Sequence, residues 1–337
     1  MASSLRQFRR RIAAAATRSV EPLGKLLPSP AVSTLEWFLR HAARHSPILS
    51  GMVADNMRRA GVYSAEAHRA YFSQIALHIA NALRLFGNSA TPARIETLVR
   101  SQIALDSSIE NLKTLVAEGR GVLLAPAHTS NYVLTLARLA HEVPVTIYLR
   151  WSKDQQKVRL KHNWCRAAGL QVILEPENAA NPTSRAAACV DVLRSGALLA
   201  MTPDIAQKRD EGVPIRFRGH TAYLPSGPAS IAMLAESPFV PLFGRVSANV
   251  QTLYITEPVR VQMRSRAEGG RQEAVRLAMQ AWADGFATFL TNCPEAWFLW
   301  ADSRWTKVFR GDPEYTGEPA PRRVDASAAA VAVEHVE

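Results

Sequence analysis

The stretch Gly119–Ala140, GRGVLLAPAHTSNYVLTLARLA, decides the fold. It begins with the unbroken apolar run Val122-Leu123-Leu124-Ala125, as expected of a strand covered on both faces. The run stops at Pro126-Ala127, and from Tyr132 the apolar residues recur at helical spacing. A buried strand that hands over to a helix is the first half of a βαβ unit. The intervening segment carries His128 to the carboxyl end of the strand and the mouth of the helix, where open α/β sheets place their sites.

Outward from this unit the rhythm repeats. Candidate strands are Gly121–Pro126, Val145–Leu149, Val172–Leu174, Ala197–Met201, Pro238–Phe243 and Val250–Ile255. Between them lie helical patterns around Tyr132–His141, Gln155–Ala168, Thr183–Ser195, Gly227–Ala235 and Gln272–Leu290. The alternation predicts an α/β fold with a mostly parallel central sheet flanked by helices. Upstream, from Thr34 to Gly87, helical spacing dominates and predicts a helical N-terminal region of two or three helices. The expected organisation is a basic segment over residues 1–33, a single domain over 34–315 whose helical front end spans 34–115, and a disordered tail over 316–337. The tail is Pro- and then Ala-rich and offers little to pack.

Composition narrows the partners. The 337 residues are 47% hydrophobic and include 40 Lys+Arg against 29 Asp+Glu, a net charge of +11. A positive field favours an anionic membrane surface, an acidic carrier protein or nucleic acid. The basic residues are scattered through α/β elements with no recognition motif, so nucleic acid is not expected as a partner. No run reaches the 18–20 apolar residues of a spanning helix. Arg6, Arg9, Arg10, Arg11 and Arg18 surround a short apolar run, which suits a helix lying on anionic headgroups or, equally, a solvated terminus. Cys165, Cys189 and Cys293 are far apart, so neither a zinc site nor a disulfide framework is expected.

A second informative segment spans residues 197–246. Its strand ends near Asp204, and a polar loop then leads to Pro225-Ser226-Gly227-Pro228 and a helix start. A histidine and a carboxylate at two strand ends are the minimum for a dyad in which the acid orients the imidazole. The structural alternative is that Asp204 caps its loop or pairs with Arg209. The third segment, NCPEAWFLWADSRW over residues 292–305, holds Trp297, Phe298, Trp300 and Trp305 and is read as core in preference to an aromatic surface.

Taken in this order, DNMRRAG (55–61), GVLLAPAHTSNY (121–132), PDIAQKRDEGVPIRFRG (203–219), LPSGPASIAMLAESPFVPLF (224–243) and CPEAWFLWADSRW (293–305) resemble the bacterial lipid A biosynthesis acyltransferases. The resemblance runs from about Arg44 to Lys307 and extends to the related phosphatidylinositol mannoside acyltransferases. It implies a glycerolipid acyltransferase-like fold and transfer of a fatty acyl group from acyl-carrier protein or acyl-CoA to a lipid or glycolipid hydroxyl. The thioester is a co-substrate and no cofactor or metal is expected. The implied place of work is the cytoplasmic face of the inner membrane, reached here by peripheral attachment.

The family signature pairs a histidine with an acid five positions on, and at that position this chain has Val133. Asp204 is therefore the expected surrogate for the missing acid, with Glu175 and Glu177 as weaker candidates. Catalysis is assigned to His128 and Asp204. Substrate binding is assigned to Asn131, to Arg150 and Arg166 as oxyanion candidates, and to Arg216 and Arg218, with His220, as a phosphate clamp. A solvated surface charge is the competing reading for each arginine. The alternative for the whole chain is a family member that binds lipid or acyl carrier without turnover.

Overall fold

The computed structural model describes residues 19–89, 91–129, 131–149, 154–174, 182–247, 250–259, 261, 265 and 269–317. The ends assigned above to a basic segment (up to residue 18) and to most of the tail, and also Arg150, Glu175 and Glu177, lie outside them.

The helical front end consists of α1 (residues 19–26), α2 (Ser29–Ala42), α3 (Pro47–Arg59), α4 (Ala65–Asn88) and α5 (Pro92–Gln102). The start of α4 is set by Ser64, whose side chain accepts the Ala67 N–H as an N-cap. Val32 on α2 packs with Ala80 and Leu83 of α4 in a small satellite core.

The central layer is a sheet of seven strands. They are β1 (Ile103–Leu105), β2 (Val122–Pro126), β3 (Val145–Leu149), β4 (Gln171–Leu174), β5 (Leu198–Ala200), β8 (Phe239–Ser247) and β9 (Val250–Ile255). Their order across the sheet is β1-β9-β8-β2-β5-β3-β4. Strands β8, β2, β5, β3 and β4 run parallel, and β9 with β1 runs against them. Helices α6 (Ser108–Ala117), α7 (Tyr132–Ala140), α8 (Gln155–Ala167), α9 (Pro182–Arg194), α10 (Gly227–Ala235) and α11 (Gly270–Asn292) flank the strands in sequence, and α12 (Ser303–Phe309) and α13 (Pro313–Thr316) follow α11.

The continuous apolar strands explain the layering. Leu123 and Ala125 of β2, with Leu199 and Met201 at β5, face one core together with Trp282 and Phe286 of α11. Val122 and Leu124, with Leu198 and Ala200, face the other with Leu134, Leu136 and Cys165. Alternate side chains thus serve opposite faces, and each large apolar side chain fully buried contributes about 1.5–3 kcal/mol.

Two elements differ from the sequence reading. The polar segment after Asp204 contains an antiparallel hairpin, β6 (Val213–Phe217) and β7 (His220–Leu224), in place of the expected loop. Its two-residue turn is Arg218-Gly219, with φ of 50° and 84°, the left-handed pair that a tight hairpin requires. The other is β1, a three-residue edge strand running directly on from α5, too short to show a period.

Candidate active site

The register of β2 against β5 brings the two predicted groups together. Leu124 pairs with Ala200, and His128 and Asp204 each lie four residues beyond that pair. Two parallel neighbours that end in step deliver their next residues to the same edge of the sheet.

The exit of β2 is held by named bonds. Trp282 Nε1 donates to the Ala125 carbonyl at 2.9 Å. Phe298 N–H donates to the His128 carbonyl at 3.0 Å, Gly244 N–H donates to Thr129 Oγ1 at 3.1 Å, and Asn131 N–H donates to Gln251 Oε1 at 3.0 Å. Asn131 then caps α7, its side chain accepting the Leu134 N–H.

Asp204 is fully buried. Its Oδ1 lies 2.6 Å from His128 Nδ1. Its Oδ2 accepts the backbone N–H of His128 at 2.7 Å and the indole N–H of Trp297 at 2.9 Å. Trp305 donates its indole N–H to the Asp204 carbonyl at 2.8 Å. A carboxylate only accepts, so Nδ1 carries the proton of the neutral ring and Nε2 presents its lone pair. His128 has no hydrogen bond on Nε2 among the described residues, and its side chain keeps 17% of its surface exposed. This is the arrangement of a general base oriented by an acid.

The other candidates named from the sequence fall elsewhere. Arg209 pairs with Asp210 rather than Asp204. Arg166 is solvent-exposed on α8. It lies two residues from Trp164, which contacts Tyr132 of the site, and a two-residue step on a helix turns through about 200° to the opposite face. Arg216 bonds Thr221 Oγ1 and the Gly219 carbonyl within its own hairpin. Arg218 bonds the carbonyls of Ala60 and Ala287 and the Thr291 hydroxyl, tying the hairpin to α3 and α11. His220 Nε2 is directed at the Arg59 carbonyl and its ring packs on Phe309. The structure therefore brings His128 and Asp204 together, leaves Asn131 three residues on as the cap of α7, and gives the hairpin cations structural partners.

Trp297 and Trp305 are the site residues that sequence reasoning missed. The tryptophan segment is core, as read, with both indoles buried, but two of its N–H groups are aimed at the dyad acid. A buried indole N–H needs an acceptor, and that requirement is the signal available from sequence.

The family model of the bacterial lipid A biosynthesis acyltransferases matches residues 60–307, well over half of the chain. The chain belongs to this family. No curated protein was matched in a sequence search. In this lipid A acyltransferase family member, the position at which the signature acid is expected is Val133, fully buried in the core beneath α7. The acid that reaches the histidine ring comes instead from the end of β5. Among the described residues no helix is long and apolar enough to cross a membrane, and no cluster of potential metal ligands occurs.

Proposed function

We propose that this chain transfers a fatty acyl group from a thioester, on acyl-carrier protein or CoA, to a hydroxyl of a lipid or glycolipid acceptor. The observation that carries the reading is the 2.6 Å contact between His128 Nδ1 and the buried Asp204 carboxylate. His128 Nε2 takes the proton of the acceptor hydroxyl as its oxygen attacks the thioester carbonyl carbon. The resulting tetrahedral oxyanion collapses, the C–S bond breaks, and the proton passes from the imidazolium to the departing sulfur. Asp204 keeps the ring turned and balances its transient positive charge.

Two further features support the reading. A cavity of about 380 Å³, bordered by Tyr148, Met201, Ile205, Pro228, Ile231 and Leu234, opens at the carboxyl ends of β3 and β5 beside the Asp204 loop. Its mainly apolar border suits an acyl chain. On the front end, Leu23, Leu26, Trp37, Phe38 and Ile48 are exposed large apolar residues, while the nearby cations Lys25 and Arg40 are paired with Glu21 and Glu36. Exposed apolar side chains grouped on one region suit peripheral docking on a membrane surface, with the acceptor drawn from that surface. The reading without turnover rests on Val133, and Asp204 supplies what valine cannot.

The test uses purified protein with tetradecanoyl-CoA and tetradecanoyl-carrier protein as donors and a lipid A precursor and a lysophospholipid as acceptors. Acyl transfer by the native protein and its abolition in His128→Ala is the expected result. Equal activity in both proteins, or none in the native protein, overturns the proposal. A lipid profile of cells with and without the protein then names the acceptor.

A further inference from the structure

Beside the dyad lies a group of side chains that the mechanism above does not use. The His128 ring meets Tyr132 edge-on at 5.0 Å, and Tyr132 meets Trp164 at 6.3 Å. Trp164 meets His78 at 5.1 Å, and His78 meets Phe298 at 4.4 Å. Phe298 closes the circuit through its N–H to the His128 carbonyl. Helix α4 thus carries a second imidazole to the flank of the first.

Within this circuit and its border, polar atoms are left over. Among the described residues four buried side-chain nitrogens or oxygens lack a hydrogen-bond partner, and three of them are His78 Nδ1, Asn131 Nδ2 and Trp164 Nε1. Buried polar groups are almost always paired, so three together beside a reactive histidine mark a place for oxygen atoms that the chain itself does not supply, of water as well as of substrate. The amide of Asn131 cannot simply be turned, because its oxygen already accepts the Leu134 N–H. Asn131 is 5% exposed. It lines, with His78, Gln102 and Gln251, a cavity of about 10 Å³, the room needed by one water.

We propose that His78 serves the transfer reaction as a neutral hydrogen-bond donor to the thioester carbonyl oxygen as it becomes an oxyanion, with Asn131 fixing which ring nitrogen carries the proton. The inference rests on the acyl-transfer reading above. Burial between Trp164 and Phe298 holds the His78 imidazole down at about 3, so near neutral pH it is an uncharged ring, unsuited to proton exchange and suited to donation. A single water in the small cavity accepts from Asn131 Nδ2 and donates to His78 Nδ1, which places the ring proton on Nε2. Nε2 is also the nitrogen that is not sealed in the interior without a partner. The indole N–H of Trp164 stands beside it as a second donor.

The experiment compares the native protein with His78→Phe and His78→Gln in steady-state transfer from tetradecanoyl-CoA to the acceptors named above. His78→Phe is expected to lower kcat by about 10²–10³-fold, the range for one lost oxyanion donor, with KM within about threefold. His78→Gln, which keeps an N–H, is expected to recover at least about tenfold. The acid limb of the pH profile stays in place in both variants, because His128 remains the base. A second reading needs no variant: in ¹⁵N-histidine-labelled native protein, an acyl-CoA analogue with a methylene ketone in place of the thioester shifts the Nε2 resonance of His78. Full kcat in His78→Phe, equal loss in both variants, or a ketone analogue that shifts His128 alone overturns the role of His78 while leaving acyl transfer standing. A native protein inactive with every donor and acceptor overturns the transfer reading, and the role of His78 with it.

Discussion

Asp204 grips His128 twice, through Nδ1 of the ring and through the backbone N–H of the same residue. One carboxylate therefore fixes both the tautomer of the imidazole and the path of the chain leaving β2. Trp297 takes the remaining position on Oδ2, so every group facing the acid is a donor. The grip is possible because β2 and β5 are parallel neighbours in matched register.

Asp204→Asn tests this grip. If the amide oxygen stays toward Nδ1, the amide nitrogen confronts the N–H groups of His128 and Trp297. Turned the other way, it forces the imidazole proton onto Nε2 and removes the base. Either orientation is expected to lower kcat by about 10³–10⁴-fold. Steady-state transfer kinetics, with circular dichroism to show retained fold, check it.

Val133→Asp restores an acid at the family position. Val133 is fully buried among Leu134, Leu136 and Leu124, so the introduced carboxylate enters an apolar core while Nδ1 of His128 is already occupied. The expected outcome is no gain in activity and a loss of stability of about 3–5 kcal/mol. Denaturant unfolding measures the loss, and a variant more active than the native protein would contradict the assignment of Asp204.

How much of this was legible in the sequence depended on the range of the signal. The run Val122–Ala125 and its fellows announce buried strands directly, and strand ends at His128 and Asp204 follow from where the runs stop. That β5 lies beside β2 rather than beyond β3 is a matter of chain crossing, which no local pattern carries, so the dyad was available only as a pair of strand ends. The hairpin of β6 and β7 was hidden by Arg216 and Arg218, which read as free cations but are hydrogen-bonded within the fold. The neighbourhood of His78 was invisible for a related reason, since a histidine on an amphipathic helix carries no mark of what packs on it.

His78 also sets a stability that falls in acid. Burial lowers its value from the ordinary 6.5 to about 3. The unfolded chain therefore binds a proton that the folded chain refuses, and the folded state loses stability as pH falls from about 6.5 towards 3. The slope from this one group is about 1.4 kcal/mol per pH unit between the two values, and above pH 7 its contribution is nearly constant. In His78→Phe the drop in Tm between pH 7.5 and pH 5 is expected to be smaller than in the native protein. An identical drop in both proteins, measured by calorimetry, would show that His78 is accessible to protons in the folded state.

The thiols give a last check on the core. Cys165, Cys189 and Cys293 are buried and form no disulfide. Burial pushes the Cys165 thiol up to about 12 and the Cys293 thiol up to about 11, so neither forms thiolate in quantity at pH 8. In the native protein a disulfide reagent such as dithionitrobenzoate is expected to release far less than one equivalent of chromophore over minutes. In guanidinium chloride all three cysteines of the chain react. Rapid labelling of Cys165 in the folded protein would mean that the face of α8 carrying it is open to solvent, and with it the packing of Trp164 and Tyr132 that walls the dyad.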